Sequence, residues 1–101
     1  MRPPGEVRQA LLDAALALTT RERSPTLMEL ACKSQVGFLA ARRTVDNMRR
    51  AGALVIVRTR AVDYRPRPVA EYSPPDLVQA LGIERQDVRK QMRATWATPI
   101  V

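Results

Sequence analysis

The chain has no histidine and only one cysteine, Cys32, among its 101 residues. An intrachain disulfide is therefore impossible, an ordinary zinc site cannot be assembled, and the commonest general base is missing. Nothing around Cys32 in sequence suggests an activated thiol, so it is expected to be a small, buried apolar residue. Aromatic residues are scarce too: one Phe, one Trp and two Tyr. Tyr64 and Tyr72 are too few to build the stacking platform that single-stranded RNA binders use. The four glycines are dispersed, and no glycine-rich phosphate loop is present. No apolar run approaches the roughly 20 residues needed to cross a bilayer. The start, Met1-Arg2-Pro3-Pro4-Gly5-Glu6, has no apolar signal core behind its charge, and a cytoplasmic location is expected. The ten carboxylates are scattered, with no pair placed for metal-assisted phosphoryl transfer. Neither an enzyme, a cofactor, a small-molecule ligand nor a metal is expected.

What the chain has in quantity is arginine. Seventeen basic residues stand against ten acidic ones, a net charge of +7, and 15 of the bases are arginine. Arginine keeps its charge at any working pH, and its planar fork of donors suits phosphate and guanine edges. The charge is uneven: residues 1–73 carry 13 bases and 7 acids, whereas residues 74–101 carry 4 and 3. A chain of this length supports one modest core. Residues 1–73 are expected to form that domain and its polyanion-facing surface.

Along the chain, residues 4–18 read as a helix, with proline at its start and Val7, Leu11, Ala14 and Leu18 on one face, widened by Leu12 and Ala15. A second helix is expected to start with Ser24 as N-cap and Pro25 in its first position and to end near Ser34, with Leu27, Leu30 and Ala31 inward. A third is expected over 37–51, stopped by Gly52. Ala41, Val45 and Met48 recur at helical spacing and should face the core. Ala40, Arg43, Asn47 and Arg50 then point away from it, with Arg42 and Asp46 on one flank and Thr44 on the other. The β-branched run 54–59 reads as a strand, with Leu54 and Ile56 toward the helices and Val55 and Val57 opposite. Residues 60–67 form a loop stiffened by Pro66 and followed by Pro68, and 69–73 return as the partner strand.

Helix, turn, basic helix and basic hairpin together resemble the winged helix-turn-helix superfamily of bacterial and phage regulators, over roughly residues 5–73. Ala31 matches the small residue late in the second helix, and Val36 the apolar residue after the turn. Ala41, Val45 and Met48 match the stripe of the recognition helix, and Gly52-Ala53-Leu54 the exit into the first wing strand. Two positions depart from the pattern. Gln35 stands where the turn usually has glycine, and Phe38 and Leu39 replace the polar residues that usually begin the recognition helix. These two could touch thymine methyls, pack on the second helix, or meet a protein partner.

The resemblance implies an α+β, mostly α domain, with three helices and a two-stranded β-hairpin wing, that binds double-stranded DNA. Recognition helix 37–51 would enter the major groove, and wing 58–68 would follow the backbone or the minor groove. Arg42, Arg43 and Asn47 become candidates for base edges, and Arg49, Arg50, Arg58, Arg60, Arg65 and Arg67 for phosphate. Transcriptional regulation in a bacterial cell or phage-infected host, close to the nucleoid, would follow. The competing expectation is a winged helix used for protein–protein contact.

Residues 74–101 read as a C-terminal helical arm, broken or kinked at Gly82. Leu77, Leu81, Val88, Met92 and Trp96 form its apolar series. Such an arm cannot bury a core of its own and is expected to pack on the first helix or on the same arm of a second copy. Val88, Met92 and Trp96 are the candidate homodimer interface.

Overall fold

A computed structural model describes residues 3–86. They form a small α+β domain with four helices and a two-stranded antiparallel sheet, in the order α1 (Pro4–Leu18), α2 (Leu27–Ser34), α3 (Phe38–Arg50), β1 (Val55–Arg60), β2 (Val69–Ser73) and α4 (Pro75–Ala80). None of these helices is long and apolar enough to cross a membrane.

The core is the meeting point of three apolar stripes. Leu11, Ala14 and Ala15 of α1, Leu30 and Ala31 of α2, and Ala41, Val45 and Met48 of α3 bury one another together with Leu54. Val7, Leu12, Leu27, Val36, Ala53 and Tyr72 close its margins. The alanines among them bring the helix backbones close together, as a core built from few large side chains requires.

One wiring pattern ends three of the helices. After α2, the Gln35 N–H donates to the Cys32 carbonyl (3.3 Å) and the Val36 N–H to the Ala31 carbonyl (3.1 Å). Gly52 and Ala53 repeat this after α3, bonding to Arg49 (3.1 Å) and Met48 (2.8 Å), and Gly82 and Ile83 repeat it after α4, bonding to Gln79 (3.4 Å) and Val78 (2.9 Å). Each pair satisfies carbonyls that the helix end would leave open, and each requires a left-handed residue. Gly52 (φ 81°) and Gly82 (φ 64°) supply it without strain, whereas Gln35 adopts φ 58° despite its Cβ. The tight turn between α2 and α3 holds Gln35 in this conformation because Val36, just beyond it, packs against the core.

The start of α2 differs from expectation. Thr26, not Ser24, is the N-cap: its hydroxyl accepts from the Glu29 N–H (3.3 Å), and the Glu29 carboxylate accepts from the Thr26 N–H (3.0 Å). This capping box outcompetes the Ser-Pro start because the segment 24–26 is held extended against β2. There the Tyr72 N–H donates to the Pro25 carbonyl (2.7 Å), and Thr26 bridges to Glu71. Ser24 is fully buried, and its hydroxyl has no hydrogen-bond partner.

The strands depart from simple alternation. Arg58 pairs with Glu71 and Ile56 with Tyr72, so Val57 is the extra residue of a β-bulge. Ile56, expected to face the helices, is only half-buried, while Val57, expected on the open side, is fully buried. Part of the reason is the segment after α4, whose described residues run along the outer edge of β1. The Gln86 N–H donates to the Val57 carbonyl (2.8 Å), the Thr59 N–H donates to Gln86 Oε1 (3.2 Å), and Ile83 is buried. Both edges of the hairpin are thus covered, by 24–26 on one side and 84–86 on the other. That support matters, since an isolated two-stranded sheet is marginal in water. The arm bends at Gly82 as its sequence suggests, but Val88, Met92 and Trp96 lie outside the described residues. Cys32 is exposed, contrary to expectation: Leu30, Ala31 and Ser34 occupy the buried side of α2 and turn it outward.

The two serine and threonine sites separate cleanly by mutation. Thr26→Ala should lower the unfolding free energy by about 1 kcal/mol. Ser24→Ala, which removes only an unpartnered buried hydroxyl, should leave it unchanged or raise it. Denaturant titration of the two variants measures this, and a larger loss from Ser24→Ala would contradict the assignment.

Candidate nucleic-acid interface

With Ala41, Val45 and Met48 buried to 1% exposure or less, helical geometry dictates what α3 shows to solvent. Arg42, Arg43, Asn47, Arg49 and Arg50 are all exposed. The first turn of the helix carries no acidic residue, and its last turn holds Arg49 and Arg50. Asp46 is the one carboxylate on α3, against four guanidiniums. On the flank nearest the hairpin, Arg49, Asp46 and Arg42 all act on the Tyr72 hydroxyl, which burial pushes above the ordinary tyrosine value.

The loop 61–68 stands beside this flank. Between the two runs an open groove of about 450 Å³, lined by Leu27, Phe38 and Tyr72 together with Arg42, Arg65 and Arg67. The structure therefore brings three of the candidate arginines, from two elements distant in sequence, onto one concave surface. Arg65 and Arg67 are exposed, as is Tyr64 in the same loop. Tyr64 and Met28, which also line the groove, are not among the site residues expected from sequence. Their exposure depends on how the loop folds back, and no spacing rule reports that.

Arg58 and Arg60 do not join this surface. Arg60 donates from Nε to Glu71 (2.7 Å) and from Nη2 to Glu29 (2.8 Å) and the Ser24 carbonyl (2.8 Å). Arg58 lies 3.6 Å from the other Glu71 oxygen and donates to the backbone carbonyls of Glu22 and Arg21. Glu71, only 3% exposed, also accepts from the Ser24 N–H (2.9 Å). These two arginines were expected to reach phosphate. Their donors are instead spent on fastening the hairpin to the entrance of α2. The reason is register: the bulge at Val57 sets Arg58 opposite Glu71, and a carboxylate buried at that depth requires cationic partners.

Glu29 belongs to the same network through Arg60 and, on its other oxygen, Arg23 (2.9 Å). Partial burial pushes its carboxyl upward, but hydrogen bonds from Arg60, the Thr26 N–H and Arg23 outweigh this and bring it down from 4.5 to about 2. The surface of the domain is thus sorted. Among the candidate arginines, those of α3 and the loop are exposed, while Arg58 and Arg60 are paired with the carboxylates of Glu71 and Glu29.

Comparison of the chain with protein-family models, curated proteins and solved structures finds no match.

The Glu29 shift has a definite sign. A carboxyl whose folded value lies below its unfolded one adds stability that is complete above the unfolded value and disappears as pH falls through the folded one. Unfolding free energy should therefore decline between about pH 5 and pH 2, and this decline should be shallower in Glu29→Gln. Denaturant titrations across that range measure it, and identical acid profiles for the two proteins would contradict the assignment.

Proposed function

We propose that the protein is a small winged-helix protein that binds double-stranded DNA sequence-specifically, with α3 as recognition helix and the hairpin as wing. One observation carries the reading. The side of α3 turned away from the core presents Arg43, Asn47 and Arg50 to solvent, with Arg42 and Arg49 on its flank. The major groove admits a single α-helix, and an outward arginine can fork onto guanine while an asparagine pairs with adenine. Arg43 and Asn47 take these base-reading roles. Arg42, Arg49, Arg50, Arg65 and Arg67 take phosphate, the last two from the wing.

The pairing of Arg58 and Arg60 with carboxylates alters the expected energetics. With Arg58 and Arg60 set aside, about five phosphate contacts remain per bound copy, enough to give each copy a salt slope of about −4 to −5. Sequence-specific duplex binding of this kind would serve transcriptional regulation. Pairing of two copies through Val88, Met92 and Trp96 would place two recognition helices on neighbouring half-sites.

A second reading, protein–protein contact without base readout, draws on a specific observation. Met28 and Tyr64 are large, exposed and line the groove beside half-buried Phe38, and Leu39 is exposed separately in the first turn of α3. An apolar patch of that kind suits a protein partner as well as a nucleic acid.

Titration of labelled duplex DNA separates the two readings. Binding at low salt should weaken by about 500-fold for a fourfold rise in salt. The double variant Arg43→Ala, Asn47→Ala should lose at least about tenfold in affinity for its preferred site while keeping most of its affinity for unrelated duplexes. Absence of binding at both low salt and about 0.3 M would remove the DNA reading.

A further inference from the structure

Leu39 is the largest departure from good surface chemistry in the described chain. It is 78% exposed, more than any other large apolar side chain, and it sits in the first turn of α3. A single exposed leucine is ordinary on a protein surface. Its position is what gives this one meaning. With about 100° per residue, Leu39 projects within about 30° of the direction opposite the buried stripe. Arg43 follows one turn later and Arg50 two turns after that, so the leucine heads the same solvent-facing row as the guanidiniums. Its sequence neighbours do not claim it: Phe38 turns toward the groove beside Leu27 and Tyr72, and Ala40 is too small to cover it.

The inference rests on the DNA reading proposed above and specifies it. The N-terminal turn of a recognition helix approaches base edges most closely. The thymine C5-methyl is the one alkyl group on the major-groove edge, where the other bases present chiefly hydrogen-bond donors and acceptors that leucine cannot satisfy. We infer that Leu39 reads a thymine by burying this methyl against its isobutyl side chain, next to the base contacted by Arg43. The departure from a polar first turn is then a change in which base is read. A polar residue at this place would hydrogen-bond to purine or cytosine edges; leucine excludes them by leaving their donors and acceptors desolvated and unpaired.

Burying one methyl group is worth about fourfold in affinity. The test uses duplexes recovered by the full chain from a random, unmethylated pool. Each is then synthesised with uracil replacing thymine at one position at a time, which deletes only the C5-methyl. For the wild-type chain, one T·A pair per bound protomer should show a loss of about fourfold on this replacement. With Leu39→Ala the same replacement should have no effect, and both proteins should bind the uracil duplex about equally. Because Leu39 is exposed, the substitution leaves the fold intact, and circular dichroism verifies this. If no thymine responds to removal of its methyl, or if Leu39→Ala keeps the response, the inference is overturned while DNA binding stands. Failure to recover any duplex would overturn both.

Discussion

A carboxylate buried midway along β2 organises the rest of this domain. Glu71 is almost wholly removed from water, in the middle of a strand, where an unpaired charge would be untenable. Arg60, Arg58 and the Ser24 N–H answer it, and through Arg60 the network reaches Glu29, the residue that closes the capping box of α2. A single set of charge-assisted bonds therefore fixes where α2 begins, how the segment 24–26 lies against β2, and how the hairpin is set relative to the helices. Removing one member of such a buried set typically costs about 3–5 kcal/mol, because its partners are left charged and dry. The groove beside α3 is a consequence of that arrangement, since the loop 61–68 is carried by the strands that Glu71 anchors.

The same network explains why net charge alone is a poor map of function. Arg58 and Arg60 sit in the most basic stretch of the sequence, yet their donors face inward to carboxylates and carbonyls. The arginines of α3 have no such partners imposed by the fold, because the helix commits only its alanine, valine and methionine stripe to the core. Two populations of guanidinium thus coexist. One stabilises the hairpin, and the other projects a field that a polyanion can meet. Under the DNA reading proposed here, stability and recognition fall on separate sets of arginines.

Much of this was legible in the sequence, because local rules and tertiary packing agree there. The proline start and apolar spacing of α1 define it to the residue, and the stripe of α3 foretells which of its side chains are exposed. The turn at Gln35 was placed by the resemblance, which matches Ala31 and Val36 on either side of it, and Gln35 does adopt the left-handed conformation. What could not be read depends on contacts between distant segments. Ser24 looks like a better cap than Thr26 until β2 claims the backbone around it. Val57 looks solvent-facing until a bulge and the segment 83–86 cover it. Arg58 and Arg60 look available until the register brings Glu71 opposite. Cys32 was misjudged for a simpler reason, a local one: cysteine is commonly buried, but its place on the short α2 lies outside the inward side.

The division between the two sets of arginines is tested most directly by comparing Arg60→Met with Arg50→Met in thermal unfolding and in the salt dependence of duplex binding. Binding is measured well below the unfolding midpoint of each variant. Arg60→Met should lower the unfolding midpoint and leave the salt slope unchanged. Arg50→Met should leave the midpoint in place and reduce the slope by about 1. A reduced slope with an unchanged midpoint in Arg60→Met would contradict this division.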